Sequence, residues 1–224
     1  AVWPRICSVS GAFDLFLQKK SAFYQNKSHW TEKPMIHIVP HWNFNGLEGN
    51  PIDVDIYTNC DETELFLNGK SLGKQRIDKY CHGHYCVEYC PGELKAIGYK
   101  NGEIVCEDER VTSGAAKKLQ LKIENSFETN GTDLAIFTCE CLDENGLIVP
   151  DAAEYVYFST DGNAEIVGTG SDERDHKCVS SPERQMFAGK ISVAVRPKFG
   201  AETFSLYAES NTCGYTVFTF QKSE

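Results

Sequence analysis

Long apolar runs are missing from this chain. No stretch approaches the roughly 20 consecutive apolar residues a helix needs to cross a bilayer, so no membrane-spanning helix is expected. The opening residues, Ala1-Val2-Trp3-Pro4-Arg5, lack a basic segment leading into an apolar core and do not read as a secretory leader. They also lack an initiating Met, which fits a piece cut from a longer chain. Positive charge is scarce, with 22 Lys and Arg against 32 Asp and Glu and a formal net charge of −10. An acidic surface repels a phosphate backbone and anionic lipid alike, so neither nucleic acid nor a membrane surface is expected as a partner. Catalytic signatures are also missing. There is no Gly-x-Ser-x-Gly nucleophile elbow. The only Gly-x-Gly after an apolar run, Gly168-Thr169-Gly170, is too short to cradle phosphate and opens no helix.

Cysteine, by contrast, is plentiful. Ten occur, at positions 7, 60, 81, 86, 90, 106, 139, 141, 178 and 213. A disulfide framework usually belongs to a much shorter secreted domain with no core of its own. Here ordinary strand patterns surround the cysteines, and Cys139 and Cys141 share one face of a strand. Most are read as small buried hydrophobes in a reducing cytoplasm. An oxidised, secreted or periplasmic form is the alternative, given the even count.

The 224 residues suffice for two domains of about 100 residues. Residues 1–33 stand apart. Phe13, Phe16, Leu17, Phe23 and Tyr24 follow helical spacing, divided by a Lys pair that allows two short helices, and Ser28-His29-Trp30-Thr31-Glu32-Lys33-Pro34 breaks the pattern. From Met35 onward the chain reads as short strands. Ile52, Val54 and Ile56 alternate onto one face. Asn68-Gly69 and Asn101-Gly102 stand between apolar runs, which is the strongest short hairpin signal. About seven strands at regular spacing predict an immunoglobulin-like sandwich over 34–113. Residues 112–118 are small, polar and basic and read as a linker. A second strand series follows, with Leu119–Ile123, Leu134–Leu142, Tyr155–Phe158, Ala164–Val167, Lys190–Arg196, Glu202–Glu209 and Tyr215–Gln221. It predicts a second antiparallel sandwich over 114–224, so the fold class is all-β, two sandwiches in tandem after a short helical piece.

Several clusters could carry chemistry. Cys81, His82, His84, Cys86 and Cys90 hold zinc-competent donors within ten residues. Structural zinc sites pair such ligands again after a longer gap, and no second half exists. On a strand, Tyr85, Val87 and Tyr89 would face the core, leaving His82, His84, Cys86 and Glu88 on the other face. A solvated strand face is the preferred reading, with no metal and no cofactor. Asp172, Glu173 and Asp175 could contact calcium, but Arg174 and Lys177 among them oppose a cation, so a charged loop is expected. Paired-carboxylate chemistry needs two acids roughly 5–10 Å apart in a cleft, and no Asp or Glu stands in a barrel-like run. Trp3, Trp30 and Trp42 can stack on sugar rings, but packing at a junction is preferred. Tyr80, Tyr85, Tyr89, Tyr155, Tyr157 and Phe158 are further aromatic candidates for a glycan-binding face.

These segments resemble the C-terminal end of β-galactosidases of glycoside hydrolase family two. Trp3-Pro4-Arg5 with Ser10-Gly11-Ala12-Phe13-Asp14-Leu15 looks like the run after the last barrel strand. Phe23-Tyr24-Gln25 and Ser28-His29-Trp30 look like the final barrel helix and its exit. Residues 54–73, from Val54 through Glu64-Leu65-Phe66-Leu67-Asn68-Gly69-Lys70 to Gly73, form the most specific match, continued by Pro91-Gly92-Glu93-Leu94-Lys95-Ala96. Asp143-Glu144-Asn145-Gly146 and Gly168-Thr169-Gly170-Ser171 resemble the family's C-terminal sandwich. The resemblance implies that residues 1–33 end a catalytic (β/α)₈ barrel and that two accessory sandwiches follow. It implies that the catalytic glutamates lie upstream; the Asn-Glu dipeptide that often carries the acid/base is absent here. No catalytic residue is therefore assigned. Trp3 would lie near the barrel mouth and could touch sugar. The partners so implied are the chain's own catalytic barrel, a glycan, or a second copy in a homo-oligomer. A carbohydrate-binding module is the alternative function.

Overall fold

The computed structural model describes residues 10–14, 17–171 and 177–222. They form two compact units that divide between Thr112 and Ser113. In the first unit one helix, α1 (Ser21–Trp30), precedes seven strands: β1 (Ile36–Val39), β2 (Pro51–Thr58), β3 (Glu62–Leu67), β4 (Lys70–Arg76), β5 (Gly83–Glu88), β6 (Glu93–Lys100) and β7 (Glu103–Val111). They pair antiparallel as two sheets, β1-β2-β5 and β4-β3-β6-β7. The chain changes sheet between β2 and β3, again between β4 and β5, and again between β5 and β6. That is the exchange an immunoglobulin-type sandwich requires.

Alternation builds the core. Val54 and Ile56 on β2, Leu65 on β3, Tyr85 and Val87 on β5, and Leu94 and Ala96 on β6 are all buried. Trp42 and Tyr89 cap them, ring against ring at 5.1 Å and 70°. The Trp42 indole N–H donates to the Cys90 carbonyl at 3.0 Å, so its one polar atom is satisfied in the core. Opposite sheets are also tied by polar bonds. The Ile38 N–H on β1 donates to the Asp108 carboxylate on β7 at 2.8 Å, and Arg110 donates to the Ile38 carbonyl at 2.8 Å.

The helical pattern expected over Phe13–Tyr24 forms differently. The Asp14 carboxylate accepts the Gln18 N–H at 2.8 Å, and Phe13 bridges Lys19. A short Asp side chain that offers the backbone such a bond favours a turn over a helix. Helix α1 then begins at Ser21 and ends at Trp30, three residues into the Ser28–Pro34 segment expected to break it. Tyr24 stacks on the His37 imidazole at 3.4 Å and fixes the helix on β1. The Asn59 side chain donates to the Thr31 and Lys33 carbonyls and accepts the Met35 N–H, holding the exit of α1. Trp30 is 81% exposed and packs no junction, a correction to the packing expected of it, whereas Trp42 is core.

The second unit has eight strands: β8 (Lys118–Ile123), β9 (Ala135–Leu142), β10 (Tyr155–Thr160), β11 (Ala164–Gly170), β12 (Glu183–Gln185), β13 (Lys190–Pro197), β14 (Thr203–Ser210) and β15 (Gly214–Gln221). Its sheets are β11-β13-β9-β8 and β12-β10-β14-β15. Phe137, Phe158, Phe204, Leu206, Ile191, Val193 and Val195 fill the space between them. Strand β12 has no apolar alternation to announce it; it pairs with the edge of β10 and buries Arg184, whose Nε donates to the Thr169 hydroxyl at 2.8 Å. The segment read as a linker is anchored at its end. The buried Asp143 carboxylate accepts N–H bonds from Gly114, Asn145 and Leu147 at 2.8–2.9 Å.

The cysteines divide more evenly than expected. Cys60, Cys139, Cys141 and Cys213 are buried, but Cys81, Cys86, Cys90 and Cys178 are exposed and Cys106 is half-buried. Strand alternation explains Cys86, which points away from the core between buried Tyr85 and Val87. Cys7 lies outside the described residues.

Candidate functional site

Trp3, expected to touch sugar near the barrel mouth, lies outside the described residues, as do the acidic residues Asp172, Glu173 and Asp175. The zinc candidates are described. Strand β5 places His84 and Cys86 outward, opposite Asp55 and Asp53 of β2. His84 Nδ1 lies 2.8 Å from the Asp55 carboxylate, and His82 Nε2 lies 3.5 Å from the same oxygen. The hydrogen bond to Asp55 raises the His84 pKa above its ordinary value. The face is thus an imidazole–carboxylate patch. Cys81, Cys86 and Cys90 do not converge with these histidines, and among the described residues no group of three donors has metal-binding geometry.

The aromatic candidates separate by strand parity. Tyr85, Tyr89 and Phe158 are core residues. Tyr80, Tyr155 and Tyr157 are exposed. On β10, Tyr155 and Tyr157 alternate outward around the buried Val156 and Phe158. The sheet adds partners that single-strand reading missed. Register places Glu209 of β14 beside Tyr157, and Tyr215 of β15 on the far side of Glu209. One pleat along, Tyr207 stands between Ser159 and Val217. The period-two pattern of β14 and β15 carries the signal for Tyr207 and Tyr215, but only the strand order brings them to Tyr157.

The result is a shallow hollow of about 280 Å³ lined by Tyr157, Ser159, Tyr207, Glu209 and Tyr215. Its chemistry is specific. Ring faces offer flat apolar area to the C–H side of a pyranose, while phenol, hydroxyl and carboxylate groups exchange hydrogen bonds with sugar hydroxyls. Glu209 gives the hollow a carboxylate, while Glu183 beside Tyr157 is paired with Lys177 at 2.9 Å. A second hollow of about 530 Å³ lies beside Phe127, Phe199 and Phe220 of the same unit. There the Phe127 and Phe220 rings are 5.0 Å apart and tilted, packed on each other rather than presented to a ligand.

Comparison with known proteins places this architecture. Residues 118–218 match the domain family described as glycoside hydrolase family 2 C-terminal domain 5. Residues 49–106 match a domain family of unknown function, DUF4982. The chain belongs to the C-terminal region of glycoside hydrolase family 2. The family 2 chain is 36% identical over 198 residues to a β-galactosidase of Bacteroides ovatus, covering 87% of this chain and 23% of that protein. It is 36% identical over 195 residues to a putative β-glucuronidase of Formosa agariphila, covering 84% of this chain and 19% of that protein. A solved β-glycosidase from Bacteroides vulgatus superposes with a TM-score of 0.92 at 29% identity, covering 98% of this chain and 29% of that one. The family 2 chain thus spans less than a third of the length of each of these relatives.

Proposed function

We propose that the chain is the non-catalytic accessory region of a retaining glycoside hydrolase of β-galactosidase type. The observation that carries this reading is the family 2 C-terminal match over 118–218 in a chain that spans only 23% of its β-galactosidase relative. In this reading residues 1–33 end the catalytic barrel, residues 34–113 and 114–224 are the two accessory sandwiches, and Trp3 stands near the sugar. Their task is to brace the barrel or to support assembly with a second copy. Hydrolysis of a panel of nitrophenyl glycosides by the 224-residue chain, beside the longer protein that contains it, tests the proposal. Turnover by the longer protein alone supports it and names the sugar. Turnover by the chain itself overturns it.

The tyrosine hollow supports a second reading, in which the second sandwich also holds a neutral glycan. Calorimetry of the chain with neutral oligosaccharides should give a Kd that weakens at least tenfold in both Tyr157→Ala and Tyr207→Ala. Self-association that the same substitutions abolish, with no sugar binding, would assign the face to a second copy instead.

A further inference from the structure

The first sandwich brings two thiols together by leaving out a side chain. Cys60 sits in the corner between β2 and β3, where the chain passes from one sheet to the other. Cys106 sits on the edge strand β7. Strand β6 runs between β3 and β7, and its Gly98 is paired with Thr63 on one side and Cys106 on the other. A Cβ at Gly98 would stand 2.7 Å from the Cys60 sulfur and 2.8 Å from the Cys106 sulfur, closer than such atoms approach. Gly98 has no positive φ, so its backbone does not require glycine. The requirement is room for sulfur. With only hydrogen there, the two Sγ atoms meet at 3.4 Å.

We propose that Cys60 and Cys106 are an oxidation site, a dithiol that closes to an intramolecular disulfide on reaction with a low-molecular-weight disulfide such as oxidised glutathione. The closure crosses β6 and fastens the β2–β3 corner to the sheet edge. Cys106 is half-buried at that edge, which gives the oxidant a way in. The two thiols share a hydrogen bond; this holds Cys60 down to about 6 and pushes Cys106 up, so the pair releases one proton readily. As the oxidant arrives, the shared proton settles on Cys60 and the half-buried Cys106 attacks one sulfur of the oxidant as the thiolate, breaking its S–S bond. The first small thiol leaves with the proton of the remaining cysteine. That cysteine, now a thiolate, attacks the mixed disulfide, forms the Cys60–Cys106 bond and expels the second small thiol. Two electrons pass to the oxidant and two protons leave with its halves. The S–S bond requires the sulfurs to close from 3.4 Å to about 2.0 Å.

The other near pair provides an internal control. Cys141 and Cys213 are 3.6 Å apart, but both are buried, and burial pushes Cys141 up to about 12. Access is missing there and Cys141 is held as the thiol, so this pair should lag.

The test is a timed exposure of the folded 224-residue chain to a glutathione redox buffer, with acid quench, alkylation under denaturing conditions and peptide mapping by mass. A cross-linked peptide joining Cys60 to Cys106, lighter by two hydrogens, should appear before any other disulfide. Cys106→Ser should leave Cys60 alkylatable, and Gly98→Ala should slow closure at least tenfold in a chain still folded by circular dichroism. Should either variant fail to fold, the wild-type map decides alone. Recovery of both cysteines as free thiols, their recovery as separate glutathione adducts, or earlier closure of Cys141–Cys213 would overturn the proposal. Because the site stands on the first sandwich's geometry alone, any of these leaves the accessory role intact.

Discussion

The two sandwiches share a plan and differ in how they close. The first centres on one buried indole, Trp42, with Tyr85 and Tyr89 beside it. The second centres on three phenylalanines, Phe137, Phe158 and Phe204, with Cys139 and Cys141 among them. The first ties its sheets together with side chains that carry charge, Asp108 and Arg110, working against His37. The second holds its entry with a carboxylate, Asp143, that is satisfied wholly by backbone N–H groups. The first places its thiol pair at a sheet edge, and the second seals its pair between the sheets. The same β plan therefore sets one thiol pair at a sheet edge and seals the other between sheets, although the second unit carries an exposed thiol of its own at Cys178. The two units also differ in strand count, with sheets of three and four strands in the first and two sheets of four in the second.

The comparison breaks most sharply at Trp42. Its side chain is fully buried and hydrogen-bonded, so Trp42→Ala leaves a large cavity and a lone Cys90 carbonyl. A cost of about 4 kcal/mol is expected. Scanning calorimetry should show one transition falling and the other staying in place. Equal displacement of both would mean that the two units melt as one body.

Acid should separate the units next. The His37 pKa is lowered to about 4, first by burial and then by Arg110 and Lys27, against the opposing pull of Asp108. The unfolded chain takes up this proton near pH 6.5, while the folded chain resists until about pH 4. Stability of the first sandwich therefore falls as pH drops from 6.5 to 4. Partial exposure of the ring screens the loss to about 1–2 kcal/mol. His84 does not offset this fall. Its pKa is raised, so its contribution is already complete below pH 6.5 and is lost only at higher pH. Asp143 has its pKa lowered by the N–H bonds from Gly114, Leu147 and their neighbours, so its contribution persists until pH falls below the ordinary carboxylate range. Chemical unfolding at pH 7 and pH 4.5 should show the first transition moving and the second holding. His37→Gln should remove the movement below pH 6, leaving above it the share of Cys60, whose lowered pKa gives a contribution lost as pH falls through about 6; if movement below pH 6 survives, another group carries it.

What the sequence revealed and what it hid follow from the range of the interactions. The alternation of Val54 and Ile56, or of Val156 and Phe158, is local, and the strands appear where it places them. The Asn-Gly turns are equally local. Helix α1 was misplaced because Asp14 competes for the backbone through a bond to Gln18 that residue spacing does not show. Strand β12 was invisible because its inward residue is Arg184, a residue type that marks surfaces elsewhere. The tyrosine hollow draws on β10, β14 and β15, and Tyr157 meets Tyr207 and Tyr215 only once strand order is known. Cys60 and Cys106 are 46 residues apart, and nothing nearby in sequence marks Gly98 as the space between them.

The smallest expected effect sharpens the comparison at a turn. Asn68 and Gly69 have φ of 49° and 79°, the pair of left-handed conformations that a two-residue type I′ hairpin demands. A Cβ at Gly69 would meet nothing within 4 Å. Gly69→Val therefore tests backbone strain alone, without a clash. The β4 strand that follows is almost wholly exposed, so little packing is lost if the turn distorts. A cost of about 1 kcal/mol is expected, a drop of roughly 4–8 °C in the melting of a domain this size. Only the first transition should move. If neither transition moves, the hairpin tip does not contribute to the stability of that sandwich, and its left-handed pair is tolerated rather than required.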